Sequence, residues 1–338
     1  MGRSVDLLVP GIGWKTGLQM LGGSDLKPVQ LEGLLGRARH RAMPAMGLTE
    51  LIFQGFRVTS QPGRDLPSGA IVSLALGKHP GAEVCALATP VHLLTDRDRL
   101  LLLRHASESL PQEQAEQLAE QFNRHFSADG MRLDPLSSGQ WILTLPELAN
   151  ITTSSLEQVT GRHIDPYLPK GPDAVSWHRL LNEIQMLFFQ SEVNQRRSQE
   201  GQLPVNGLWI SGIGRLPEVQ TSYHKVFADS PLAKGLAQMA GIPCDPDYHS
   251  LLEGLLSDGR YLVVMSDMLD AEIDVQGEAW LEAIELTEQR LLKLVEIMDH
   301  RDDRINLYTC DGSCFVARSR AGFLDRFRPR KRLDQRLG

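Results

Sequence analysis

A mostly parallel α/β sheet flanked by helices, with an α+β region inserted into it, is the fold class this sequence predicts. Two patterns carry the prediction. Short apolar runs rich in β-branched residues recur along the chain, with amphipathic helical stretches between them, as βαβ units require. The alternation is clearest beyond residue 200. Residues 77–145 instead hold two strands, a charged turn, a helix and a further strand, which is an α+β pattern.

Taken in order, the first strand falls at residues 5–9, in an apolar run too short before Pro10 to be a signal-peptide core. The segment QPGRDLPSG at 61–69 reads as a surface loop. Further strands are expected at 70–75, 84–88, 141–145, 207–210, 261–265 and 305–309, with the turn TDRDR at 95–99. A helix over 109–126 places Ala115, Leu118, Phe122 and Phe126 on one face. A second, at 177–190, buries Trp177, Leu180, Leu181, Ile184 and Leu187. One helix is expected near 231–240, and the last aligns Trp280, Ile284, Thr287, Leu291, Leu294 and Met298. The parts expected are 1–76 as the start of the α/β core, 77–175 as the inserted region, 176–317 as a ligand-facing motif and C-terminal core, and 318–338 as a basic tail.

With 42% apolar and 23% charged residues, the chain has the composition of a folding globular protein. No apolar run approaches the length of a membrane-spanning helix, so no membrane partner is expected. Four scattered cysteines (Cys85, Cys244, Cys310, Cys314) suit reduced thiols and a cytoplasmic location. Cys310 and Cys314 follow His300, but no second Cys/His pair is near enough to complete a zinc site. Net charge is −7 and unevenly spread. Arg318, Arg320, Arg326, Arg328, Arg330, Lys331, Arg332 and Arg336 face only Asp325 and Asp334. Such a tail suits nucleic acid, an acidic partner or this protein's own acidic body, and equally a solvated terminus.

The densest polar chemistry lies between residues 176 and 217. Gly212-Ile213-Gly214 follows an apolar run and suits a backbone cradle for phosphate, but no third glycine completes a dinucleotide fingerprint at Pro217. Gly11-Ile12-Gly13 shares that weakness, and Trp14-Lys15-Thr16 is not a P-loop. Neither a Gly-x-Ser-x-Gly elbow nor a His-Glu-x-x-His pair occurs. Asn182 and Gln185 stand side by side on their helix, as ligand-facing amides or as a solvated face. Arg196 and Arg197 follow a helix end expected at Asn194, as an anion clamp or as partners for the last carbonyls. His163 and Asp165 lie on a Pro-bounded loop.

The block from Trp177 to Pro217 resembles the bacterial regulatory proteins of RpfE type. It matches through Trp177, the LLNEIQM run, Val193, Asn194, Arg197, Gly201, Pro204, Val205, Asn206, Trp209, Gly212, Gly214 and Leu216-Pro217. The opening LLVPG, the PVHL segment from Pro90 and the stretch from Gly161 to Gly171 extend the match. That family is similar in turn to the archaeal-type cofactor-independent phosphoglycerate mutases of the alkaline phosphatase superfamily. This second resemblance implies an alkaline phosphatase-like fold, two divalent metals held by Asp and His clusters, and a serine nucleophile.

The departures from that pattern are specific. Pro10-Gly11 stands where an Asp-Gly ligand loop is expected, no His occurs between Met268 and Gln276, and Asp311-Gly312 replaces an Asp-His pair. The implied protein is a non-catalytic regulatory or binding protein with no catalytic residues. Its small phosphorylated or carboxylated ligand would be held by Asn182, Gln185, Asn194, Arg197, Asn206, Gly212 and Gly214. No cofactor is expected. Asp267 and Asp311 are the candidates for a Mg or Mn ion, with Asp270, Glu272 and Asp274 nearby in an acidic loop. An active metal-dependent phosphoglycerate mutase or phosphatase is the alternative, and a nucleic-acid or assembly role for Arg318 to Arg336 is a third.

Overall fold

The structure, a computed structural model, describes residues 2–97, 99–104, 110–137, 139–246, 248, 257–298, 300, 302–318 and 332–337. The chain forms two compact units, one from Met1–Arg57 with Val219–Gly338 and one from Val58–Glu218. In chain order, unit 1 opens with β1 (Ser4–Leu8), α1 (Lys15–Gly23), α2 (Val29–Arg37), β2 (Arg39–Ala42) and α3 (Leu48–Gly55). Unit 2 follows with α4 (Ser68–Ala75), β3 (Val84–Asp96), β4 (Arg99–Arg104), α5 (Gln112–His125), β5 (Arg132–Pro135), β6 (Trp141–Leu145), α6 (Leu156–Val159), α7 (Ala174–Phe189), α8 (Glu192–Gln199) and β7 (Gly207–Gly214). Unit 1 resumes with β8 (Lys225–Phe227), α9 (Pro231–Met239), β9 (Cys244–Asp245), β10 (Arg260–Val264), α10 (Asp267–Ile273), α11 (Gly277–Ile297), β11 (Arg304–Tyr308), β12 (Ser313–Arg318) and α12 (Leu333–Leu337).

In unit 1 the seven strands run in the order β2-β12-β11-β1-β10-β8-β9. Pairing is parallel from β11 through β9, and antiparallel where β12 meets β11 and β2. This is the mostly parallel α/β sheet that the alternation predicts. Side chains of a strand alternate between faces. Val5 and Leu7 of β1 therefore share a core with Tyr261, Val263, Ile305 and Leu307, beneath Trp280, Ile284, Leu291 and Leu294 of α11. Each such apolar side chain contributes about 1.5–3 kcal/mol by leaving water. Asp6, between Val5 and Leu7, is 1% exposed. It accepts hydrogen bonds from the Tyr223 hydroxyl (2.7 Å), Arg260 Nη2 (2.7 Å) and Asn306 Nδ2 (2.7 Å), so the buried charge is fully bonded.

Three helix ends in unit 1 are closed by distant side chains. The Glu288 carboxylate of α11 accepts the Gln30 and Leu31 N–H groups (2.8 and 2.7 Å) at the start of α2, which no side chain of its own caps. Arg332 and Arg336 donate to the Gly22 and Gly36 carbonyls (3.3 and 3.1 Å) in the last turns of α1 and α2, with Leu333 buried beside them. Residues 332–337 are therefore packed onto the body instead of forming a solvated terminus. The remaining basic residues of the expected tail beyond Arg318 lie outside the described residues.

Unit 2 is the α+β part. Its antiparallel sheet runs β4-β3-β6-β5, with β7 also pairing the long β3. Trp141, Phe122, Ile184, Phe188 and Ile210 centre its core.

Four expectations are corrected. The inserted body is 58–218 and not 77–175, because β7 pairs with β3 and takes the whole 176–217 motif with it. Residues 70–75 are helix, not strand; every residue of α4 is buried, so no polar face reveals its period. The first long motif helix ends at Phe189, and Asn194, Arg196 and Arg197 lie inside the separate helix α8, whose N-cap is Ser191. The acidic stretch from Asp267 is the helix α10 and not a loop.

Candidate functional site

The parallel strands of unit 1 bring the segments after β1, β8, β10 and β11 to one edge of the sheet, where open α/β sheets place their ligands. Four segments meet there: 9–13, 228–230, 265–267 and 309–313. Gly11 adopts φ +79, and a Cβ on it would lie 2.6 Å from the Met268 carbonyl oxygen. Only glycine fits this turn. The Gly11 carbonyl in turn accepts Trp280 Nε1 at 2.8 Å, tying the loop to α11.

Asp267 opens α10, and its Oδ2 accepts Arg290 Nη1 of α11 at 2.6 Å. The same guanidinium lies 4.0 Å above the Tyr248 ring. Burial pushes the Tyr248 hydroxyl above its ordinary pKa; Arg290 opposes the shift, while Asp267 and Asp229 add to it. Asp311 follows β11. Its Oδ1 accepts the Thr309 hydroxyl and the Ser313 N–H (3.2 Å), and its Oδ2 lies 3.3 Å from the point where a Gly13 Cβ would stand. Cys310 sits at φ +63, and burial pushes its thiol up to about 12, with Asp311 and Glu50 adding to the shift. It is held as the thiol, not as a thiolate nucleophile.

Among the described residues this donor set does not fit a two-metal centre. A metal pair needs several carboxylate and imidazole ligands converging on each ion. Here the Asp267 carboxylate is engaged by a fixed guanidinium and one Asp311 oxygen by Thr309 and Ser313. Among the described residues no group of three or more His, Cys, Asp or Glu is placed to hold a metal ion.

The ligand residues expected from the sequence all lie in unit 2, and the structure gives most of them contacts within the protein. Asn194 is buried; its Nδ2 donates to the Phe188 and Val205 carbonyls (2.8 and 2.7 Å), and its Oδ1 accepts the Val205 N–H (2.8 Å). Arg197, 1% exposed, donates to the Leu203 carbonyl and Gln114 Oε1 (both 2.8 Å), and burial lowers its pKa. The Asn206 amide pairs with the Leu93 backbone through both its oxygen (2.6 Å) and its nitrogen (2.9 Å). Asn182 is exposed and Gln185 partly so. Gly212 and Gly214 lie within β7, not in a loop after it. Gly212 has φ +66, at a register shift where 211–214 of β7 face 85–87 of β3, the geometry of a glycine bulge. His163 Nε2 lies 3.6 Å from Asp96. Arg290 and Tyr248 had no sequence signal, because neither stands in a motif or near Asp267 in the chain.

No family model matches the chain. It is 24% identical over 263 residues to the 2,3-bisphosphoglycerate-independent phosphoglycerate mutase of Methanosarcina mazei, covering 72% of this chain and 62% of that protein. To the probable enzyme of the same name from Geobacter sulfurreducens it is 22% identical over 242 residues, covering 68% and 60%. The chain thus spans less than two thirds of the length of these curated relatives. A solved structure, that of the PH0037 protein from Pyrococcus horikoshii, shares the fold at TM-score 0.52 and 15% identity, covering 94% of this chain and 87% of that one. The chain is a distant homologue of 2,3-bisphosphoglycerate-independent phosphoglycerate mutases, and its mixed α/β fold is shared with the Pyrococcus horikoshii structure. Among the described residues no helix is long and apolar enough to cross a membrane.

Proposed function

We propose that this chain is a non-catalytic binding protein built on a phosphoglycerate mutase-like fold, taking a small phosphorylated or carboxylated ligand in a regulatory role. The single observation that carries this reading is the Arg290–Asp267 pair at the end of β10. The Arg290 guanidinium occupies an Asp267 oxygen that a metal ion would otherwise take, and it supplies positive charge beside that carboxylate without metal. The expected Asp and His ligands after β1 and β10 are absent from the sequence, which supports the same conclusion. The RpfE-type resemblance of the Trp177–Pro217 block motivates the regulatory role. Thermal-shift titration with 3-phosphoglycerate in the presence of a chelator tests it. Stabilisation that persists with chelator and weakens in Arg290→Gln supports the reading; stabilisation that needs Mn²⁺ counts against it.

A second reading, an active metal-dependent mutase, is favoured by the homology itself, which covers 72% of the chain in the Methanosarcina mazei comparison. It predicts Mn²⁺-dependent interconversion of 2- and 3-phosphoglycerate that Asp267→Ala abolishes.

A further inference from the structure

Within unit 2, one carboxylate sits in surroundings that suit an anion. Asp65 belongs to the 61–69 segment. Its Oδ1 accepts the Thr153 N–H at 2.8 Å; its Oδ2 accepts the Thr153 hydroxyl at 2.5 Å and the Ile213 N–H at 3.2 Å. The Gly212 N–H lies alongside, 3.3 Å from Thr153 Oγ1. The left-handed Gly212 in the β7 bulge lets two successive N–H groups face the same way, which is how backbone nests bind anions. Burial pushes the Asp65 carboxyl above the usual carboxylate range even though every one of these donors favours its charge.

The two ends of the Asp65 segment differ. On the far side, Pro67 and Ser68 pack so closely on β7 that a Cβ on Gly214 or Gly212 would lie 2.5 or 2.8 Å from them. On the near side, Gln61, Pro62, Gly63 and Arg64 are all exposed. Lifting 61–65 away would therefore uncover the donors while leaving the packed end in place.

We propose that Thr153, Gly212 and Ile213 form an anion site for the phosphate or carboxylate group of a small molecule, and that Asp65 fills it as an internal occupant that the ligand displaces. A phosphate group carries more acceptor oxygens than the two of Asp65, which the Thr153, Gly212 and Ile213 donors share. An occupied site lowers the apparent affinity of a ligand by the fraction of molecules in which the site is open. The site belongs to unit 2 alone, and its test is independent of the metal question in unit 1.

Calorimetric titration of the full chain with inorganic phosphate, and in a parallel arm with acetate, tests the proposal. Asp65→Asn, which keeps the shape and removes the charge, and Asp65→Ala should bind phosphate about tenfold or more tightly than the parent. Adding Thr153→Val should remove that gain. Tighter acetate binding, with phosphate unchanged, would assign the site to carboxylates. If Asp65→Ala does not fold, Asp65→Asn and the parent chain decide. In the parent, trypsin should cut after Arg64 faster in phosphate than in sodium chloride of equal ionic strength. No gain of either anion by Asp65→Asn, with cleavage at Arg64 unchanged by phosphate, would overturn the proposal and leave Asp65 as a purely structural tie.

Discussion

Arg290 and Asp267 meet at 2.6 Å, joining the long helix α11 to the first turn of α10 at the end of β10. The carboxylate side chain is 38% exposed and the arginine 18%, so solvent screens part of their attraction. The pair's main effect is on chemistry, because a guanidinium that already bonds Asp267 competes with any metal for the same oxygen. Its contribution to stability follows from the partly buried ion pair and the stacking over Tyr248. Arg290→Ala should lower unfolding stability by about 1 kcal/mol. Urea unfolding at low and high salt checks this; the ion-pair share of the loss should shrink with salt.

Asn194 bonds main chain at three points between α7 and the residue before Asn206. Replacing it with alanine strands buried partners, the Val205 N–H among them, and should cost about 1–3 kcal/mol. Chemical denaturation measures this directly. A change below the error of the method would show that the amide is free for another role, such as the ligand contact expected from the sequence.

Tyr223→Phe removes one of the hydrogen bonds to the buried Asp6, a 2.7 Å contact. The carboxylate keeps Arg260 and Asn306, so the expected loss is about 1–2 kcal/mol. Far-UV circular dichroism at matched urea concentrations reads the shift in midpoint. An unchanged midpoint would mean that the Asp6 network carries no net stability through this tyrosine.

Glu288 gives a pH dependence with a defined sign. Burial raises its carboxyl above the ordinary value of 4.5, although the Gln30 and Leu31 N–H groups pull it down. The folded state therefore holds the proton more tightly than the unfolded state. The stability linked to that proton is fully present below the unfolded value and is lost as pH rises through the folded one. Glu288→Gln should flatten this part of the stability profile. Urea midpoints measured across the carboxylate range and up to neutral pH test it, and parallel profiles for the two proteins would refute the shift.

The sequence made the sheet of unit 1 legible because its strands are separate apolar runs with amphipathic helices between them. Residues 261–265 and 305–309 match β10 and β11 closely, and Trp280, Ile284, Leu291 and Leu294 do face the core. The helix α4 was not legible, since a fully buried helix of eight residues has no polar face to set its period. Nor were the local sites. The donors around Asp65 come from residues 153, 212 and 213, and the Asp6 network from 223, 260 and 306. Such groups meet only through tertiary pairing, and single-chain spacing does not encode them. The amides and arginines of the 177–217 motif drew attention as polar groups among apolar ones. Much of that polarity is spent on main chain, which a sequence pattern does not distinguish from ligand binding.

The most direct test of the central claim is a phosphoglycerate interconversion assay on the full chain with Mn²⁺, run beside a calorimetric Mn²⁺ titration. No turnover above background and no saturable Mn²⁺ binding are expected. Turnover that requires Mn²⁺ and disappears in Asp267→Ala would contradict the claim.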